Sequence, residues 1–271
     1  MPELAEVEYF RKQWDPALGL RILEVHLHPE KRVFRETDPE ALKSELSGRV
    51  FKESRAAAKQ MLFRFEGERP KGRPSGWMGV HLGMAGKLFA QRLPYAPGKH
   101  DHLVLKTDTH ALVFQDYRLF GKILFEVGKA EPAYWRALPP DLLSLQFKRA
   151  DLEAFLRRRA KAPLKALLLD QSRFPGIGNW MADEILWQAG IHPARKGGDL
   201  EEAEVKKLYQ KIRYVCRGAL KYVGNDFSDP PRTWLFQHRW KDGGVCPKTK
   251  GPLLRETIGG RTTCYSPSRQ V

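Results

Sequence analysis

Apolar positions along the chain change their period twice. Residues 3–14 place Leu4, Val7, Phe10 and Trp14 at helical spacing, which predicts a short amphipathic helix. From residue 21 to 127 the apolar runs shorten and become β-rich, at 22–27, 62–65, 103–105 and 123–127, with Gly/Pro-rich turns at 67–76 and 94–98. Short strands so spaced predict a β-sandwich or barrel-like domain. Residues 130–140 contain prolines and read as a linker. Beyond them the period is helical again, at 151–159, 164–170, 179–189 and 201–222, the last with Leu208, Ile212, Val215 and Ala219 on one stripe. A basic segment, 232–271, closes the chain, and no internal repeat interrupts the plan. The expected fold class is multi-domain α+β. A β-sandwich with an N-terminal helix fills residues 1–130, a linker 131–150, a helical domain 151–231 and a C-terminal hairpin finger 232–271.

Charge narrows the partner. Among 271 residues, 47 Lys and Arg stand against 32 Asp and Glu, a formal charge of +15 with a pI near 9.8. So large an excess of one sign points to a polyanion, nucleic acid first. Cys216, Cys246 and Cys264 form no even disulfide framework and suit a reducing compartment. Without a signal peptide or an apolar run of about 18 residues, a cytoplasmic protein is expected, with no membrane partner.

The candidate chemistry begins at residue 2. The chain opens Met1-Pro2-Glu3-Leu4-Ala5-Glu6, and removal of Met1 leaves a secondary amine followed directly by a carboxylate. An N-terminal amine has a pKa of about 8, against about 10.4 for lysine, so more of it is neutral and nucleophilic near neutral pH. Attack by a secondary amine on an aldehyde-level carbon gives a charged iminium, an electron sink that drives elimination at the neighbouring carbon. A plainer reading is open for the same residues: Pro2 starts the helix, with Glu3 and Glu6 facing the positive end of its dipole.

A second motif lies in the helical region. Gly176-Ile177-Gly178-Asn179 opens a helix that ends in Gly190-Ile191-His192-Pro193. A Gly-x-Gly-Asn turn at a helix start directs backbone N–H groups toward an anion such as a DNA phosphate. An ordinary tight connection between two helices accounts for Gly-x-Gly alone.

Taken with Val80-His81-Leu82-Gly83-Met84-Ala85-Gly86, these segments resemble the formamidopyrimidine-DNA glycosylase / endonuclease VIII family over essentially the whole chain. The resemblance implies a bifunctional DNA glycosylase and AP lyase of base-excision repair, with a helix–two-turn–helix domain and damaged double-stranded DNA as partner. It implies Pro2 as the nucleophile at C1′, Glu3 as the general acid, and Lys59 as a hairpin lysine on the phosphate beside the lesion. For Lys59, composition alone favours a solvated strand lysine. Met84 matches the residue that fills the space of an extruded base. In Asp116-Tyr117-Arg118-Leu119-Phe120-Gly121, Arg118 would face the orphaned base and Phe120 would wedge the stack, as base flipping demands. Met84 and Phe120 otherwise read as core residues. Glu6, His81, Gly178, Asn179 and Arg261 complete the implied DNA-binding set, in a monomer acting on the nucleoid.

Two segments depart from the family pattern. Its common form binds Zn²⁺ through two Cys-x-x-Cys pairs, whereas this chain places Cys246, Thr249, Ser266 and Arg269 at those positions. A structural zinc site needs four Cys or His ligands, and His238, Cys246 and Cys264 lack a fourth. A zincless finger is expected, a hairpin of residues 253–258 and 262–265 turning at Gly259-Gly260, with no cofactor. Residues 224–233 also form a shorter connection than the loop that caps the flipped base in the 8-oxoguanine branch, and Ala5 replaces the usual second proline. Oxidised pyrimidines and ring-opened purines stay open as substrates. Two rival readings are a non-catalytic binder of damaged or bent DNA and an RNA-binding helix–two-turn–helix protein; neither requires Pro2 beside Glu3.

Overall fold

The computed structural model describes residues 1–67 and 74–271, so most of the turn expected at 67–76 lies outside the described residues. The chain divides into two compact units, one of residues 1–2 and 6–138 and one of residues 3–5 and 139–271. Helix α1 (Leu4–Lys12) opens the chain.

In the first unit, strands β1 (Glu24–Leu27), β2 (Val50–Ala57), β3 (Gln60–Glu66), β4 (Ser75–His81), β5 (Lys87–Arg92), β6 (Asp101–Lys106), β7 (His110–Gln115) and β8 (Lys122–Gly128) make two antiparallel sheets. Their orders are β1-β6-β7-β5 and β2-β3-β4-β8. Alternation builds the core: Met61, Phe63 and Phe65 of β3 join Leu103, Leu105, Leu112 and Phe114 in one cluster, as a period of two requires. The unbroken apolar run 103–105 has a separate cause. Val104 points to the opposite face and packs with Ala111 and Val113, so the sheet is apolar on both sides there. Trp14 lies just beyond α1, fully buried, with its indole 4.8 Å from Phe63 and its N–H donated to the Val113 carbonyl at 3.3 Å.

Two features of this unit depart from the sequence reading. Helix α2 (Pro39–Leu46) was not expected, since only Leu42 and Leu46 mark its buried face; the Asp38 side chain caps it by accepting the Glu40 and Ala41 N–H groups. The linker expected at 131–150 is folded. Helix α3 (Ala133–Arg136) lays Trp135 against Leu62 and Trp77, and further along Leu142 and Phe147 enter the core of the second unit. Its apolar residues are aperiodic, which is why pattern alone reads the stretch as unstructured.

The second unit contains α4 (Arg149–Arg158), α5 (Leu164–Leu168), α6 (Asn179–Ala189), α7 (Glu202–Lys221), α8 (Val223–Asp226) and the hairpin β9 (Leu254–Ile258) and β10 (Arg261–Tyr265). Glu201 and Glu204 form a reciprocal capping box at the start of α7. Gly190 ends α6 in the left-handed region. Helix α6 is buried almost all round, because it meets α7 on one face and the finger on another. Leu235, Cys246, Leu253 and Cys264 of the finger form a small core with Trp187.

A buried charge cluster joins these parts. Asp183 of α6, fully buried, accepts Lys165 at Oδ1; at Oδ2 it accepts Arg239 Nη2 at 2.6 Å and the Cys264 N–H at 3.1 Å. Lys165 also donates to the Asn179 carbonyl at 2.8 Å. Burial pushes the Lys165 ammonium below its ordinary value, against the opposing pull of Asp183.

Two stability changes are expected. Phe63→Ala removes a fully buried ring and should cost roughly 3–5 kcal/mol in urea unfolding. Asp183→Asn leaves two buried cations without their carboxylate and should cost about 3–5 kcal/mol, with proteolysis of residues 232–271 as the early event; a finger as protease-resistant as the parent's would contradict the anchoring role.

Candidate active site and nucleic-acid interface

The second unit builds its site around Glu3. The side chain is 3% exposed and sets its carboxylate across the first turn of α6. Oε2 accepts the Gly178 N–H at 2.9 Å and the Met181 N–H at 3.1 Å, and Oε1 accepts the Trp180 N–H at 2.9 Å. These are amides a helix start leaves without intrahelical partners, and the dipole favours an anion there. A Cβ on Gly178 would lie 2.3 Å from the Glu3 carboxyl carbon, so only glycine admits the approach. The Leu4 N–H donates to the Gly176 carbonyl at 2.9 Å and fixes the same segment.

This corrects the assignment of Gly178 to a DNA phosphate. A helix N-terminus takes any suitable anion, and here the chain supplies its own. Asn179 Nδ2 donates to the Thr262 carbonyl at 2.8 Å. The hairpin turn at Gly259-Gly260 rests near Ala166 of α5, and Arg261 opens β10 exposed to solvent. Glu3, Asn179 and the Arg261 hairpin are thus brought together. Pro2, half-buried, precedes Glu3 by one peptide bond.

In the first unit the candidate residues sit on three turns. Lys59 lies, half-buried, in the tight turn between β2 and β3, next to Ala58 at φ 57°. It is a hairpin-turn residue and not a strand lysine. His81 ends β4, and its Nδ1 accepts the Gly83 N–H at 3.0 Å. That bond requires an unprotonated Nδ1. Burial, followed by the charges of Lys122, Lys59 and Arg35, holds the imidazole below the ordinary histidine value. A neutral ring with its proton on Nε2 follows from both.

Met84 and Phe120 are 44% and 45% exposed, so the core reading is set aside for both. Their loops touch through the backbone: a Cβ on Gly83, at φ +62°, would lie 2.4 Å from the Phe120 carbonyl carbon. The Arg118 guanidinium stands 5.0 Å over the Phe120 ring. Phe120 and Arg118 thus stand side by side in solvent, with Met84 exposed on the adjoining loop. Glu6 lies half-buried on α1.

The four finger positions that would hold zinc do not suit it. Burial raises the Cys246 thiol, but hydrogen bonds from Thr249, Ser266 and Lys248 outweigh it and bring the thiol down to about 7. The Thr249 N–H donates to the sulfur at 3.5 Å, and the Thr249 and Ser266 hydroxyls meet the Ser268 hydroxyl at 2.9 and 3.2 Å. The fourth residue, Arg269, instead stands 4.8 Å over the Trp187 ring and donates to its carbonyl at 2.9 Å. Cys264 is pushed up to about 12 by burial. One thiol, two hydroxyls and a guanidinium are not a tetrahedral zinc set. Among the described residues no group of three or more His, Cys, Asp or Glu is arranged to hold a metal ion.

Residues the sequence reading passed over also shape the site. Asp183 and Lys165 sit in apolar helical contexts, and nothing in their spacing marks them as a pair. Arg35 donates to the Gly121 carbonyl at 2.8 Å, 86 residues away along the chain.

Among the described residues no helix is long and apolar enough to cross a membrane. Comparison with known proteins gives a consistent result. Residues 1–123 match the formamidopyrimidine-DNA glycosylase N-terminal domain, and residues 138–229 match the formamidopyrimidine-DNA glycosylase H2TH domain. A formamidopyrimidine-DNA glycosylase of Solibacter usitatus is 34% identical over 278 residues, covering 100% of this chain and 99% of that one. One from Roseiflexus sp. is 33% identical over 281 residues, covering 100% of both. Among solved structures, a complex of the Lactococcus lactis Fpg protein with DNA containing an oxidised pyrimidine is 27% identical, covers 99% of each chain and superposes with a TM-score of 0.86. From its matched domains and these full-length relatives, the chain belongs to the formamidopyrimidine-DNA glycosylase family.

Proposed function

We propose that the chain is a base-excision repair DNA glycosylase with AP lyase activity, in which Pro2, freed by removal of Met1, is the nucleophile and Glu3 its acid partner. The observation that carries this reading is the seating of Glu3 on three N–H groups of α6, which fixes a carboxylate one peptide bond from the amine. The substrate class is oxidised or ring-opened bases in duplex DNA. The formal charge of +15 supports such a partner.

The chemistry follows from the amine. Its lone pair forms a bond to C1′ as the glycosidic bond breaks, and that bond's electron pair leaves with the base. Glu3 takes the proton that the amine nitrogen gives up on bonding C1′ and passes it to the sugar oxygen as the nitrogen lone pair breaks the C1′–O4′ bond, leaving the nitrogen as an iminium. Loss of a C2′ proton feeds electrons into the iminium and expels the 3′ phosphate, and a second elimination releases the 5′ phosphate. Once Glu3 has passed that proton on, its fixed carboxylate stands beside the iminium and stabilises it.

Lys59, His81, Asn179 and Arg261 would hold phosphates, and Glu6 belongs to the same DNA-binding set; Gly178 acts through Glu3. Met84, Arg118 and Phe120 would occupy the stack vacated by the flipped base, Arg118 against the orphaned partner. Their exposure supports this role, since a wedge must be free to enter DNA. The enzyme would act as a cytoplasmic, nucleoid-associated monomer without a metal cofactor.

Borohydride should trap a covalent complex between untagged protein and duplexes carrying an abasic site or a single oxidised base, and the lesion trapped in highest yield names the substrate. The complex should vanish when Met1 is retained. Absence of any adduct, with Met1 removal confirmed by mass spectrometry and DNA binding intact, would sink the enzyme reading in favour of a damage-binding protein. Prolonged exposure to a strong chelator should change neither the trapping yield nor the melting temperature; a fall in either would show that the finger holds a metal after all.

A further inference from the structure

The loop that carries Arg118 and Phe120 is held from behind by a histidine. His102, on β6, is 2% exposed, and its Nε2 lies 2.9 Å from the Asp116 carbonyl oxygen. A carbonyl only accepts, so Nε2 carries the proton. On its other side, His102 Nδ1 lies 3.4 Å from His28 Nδ1, and the His28 N–H donates to the His102 carbonyl at 3.1 Å. Burial foremost keeps the His102 imidazole below its ordinary value, in keeping with a neutral ring between these partners.

Asp116 relays this constraint. It is fully buried, and its carboxylate closes the loop on both sides: Oδ1 accepts the Arg118 N–H at 3.0 Å and Oδ2 accepts the Gly121 N–H at 2.7 Å. Its own N–H donates to the His100 carbonyl at 3.1 Å. Between the two accepted amides the chain must pass through Leu119 at φ 58°, a left-handed conformation uncommon for leucine. Such a loop keeps its shape only where its surroundings over-determine it.

We infer that His102, held by His28, is a positioning residue for base extrusion: its Nε2–H fixes the Asp116 backbone and thereby the Arg118–Phe120 wedge. This rests on the proposed role of Arg118 and Phe120. Through the Gly83–Phe120 backbone contact, the same support extends to the Met84 loop. His102 touches neither DNA nor the reacting atoms. Its effect should therefore fall on excision of a stacked base and spare cleavage of a base-free site in single-stranded DNA.

The test compares His102→Leu with His102→Gln, whose side-chain amide offers a donor near the position of Nε2. Two readouts are needed: amide hydrogen exchange at Arg118 and Gly121 in the free protein, and single-turnover excision from a lesion duplex set against cleavage of a single-stranded abasic site. His102→Leu should speed exchange at both amides, and slow excision, by about tenfold each, the equivalent of one lost buried hydrogen bond. Abasic cleavage should not change, and His102→Gln should restore both quantities. Unchanged exchange in His102→Leu, failure of His102→Gln to restore it, or a parallel fall in excision and abasic cleavage would each overturn the inference. Faster loop exchange in a protein whose parent excises no lesion would instead refute the glycosylase reading and leave the positioning contact standing.

Discussion

The seating of the Glu3 carboxylate on the first turn of α6 is the constraint on which the candidate chemistry depends. A helix start presents unpaired N–H groups and a positive dipole end, which together make an anion site. Here a carboxylate from the third residue satisfies three of those donors. A chain terminus ordinarily frays because little holds it. This one is tied to a buried helix by three charge-assisted hydrogen bonds, and the residue before Glu3 inherits part of that order. The Gly-x-Gly turn is what allows it, since a side chain at Gly178 would occupy the space of the carboxylate.

Helix α6 carries a second obligation about one turn further on. Asp183 gathers Lys165, Arg239 and the Cys264 backbone, and the Trp187 core lies against the finger. A small hairpin has too little core to fold by itself, and a metal is one remedy. In this chain, hydrophobic burial against α6 and a buried ion cluster hold the hairpin, and the Thr249 N–H donates to the Cys246 sulfur. The Asn179 amide, bonded to Thr262, couples the same hairpin to the helix start that seats Glu3.

The wedge loops of the first unit follow a similar logic with different parts. Exposed apolar side chains mark an interaction site, and such a site is precise only where rigid backbone presents them. Arg118, Phe120 and Met84 are carried on two loops locked by Asp116, by the Gly83 contact and by Arg35. His102 stands behind them as a buried, oriented donor.

Much of this was legible in residue order alone. The β-rich run at 62–65, the stripe of α7 and the Gly259-Gly260 hairpin are local patterns, set by short-range spacing and turn residues. So were the charge excess, the Pro2-Glu3 pair and the loss of the cysteine pairs, because each is a matter of residue type and short spacing. Other features depend on partners far apart in sequence, which no local period encodes. Glu3 meets Gly178 and Met181, Asp183 meets Arg239 and Cys264, and His102 meets Asp116 only once the backbone has folded. The helix-start amides read as a phosphate site for the same reason. Sequence identifies an anion site at a Gly-x-Gly-Asn turn, but which anion fills it is decided by what tertiary packing brings within hydrogen-bond reach.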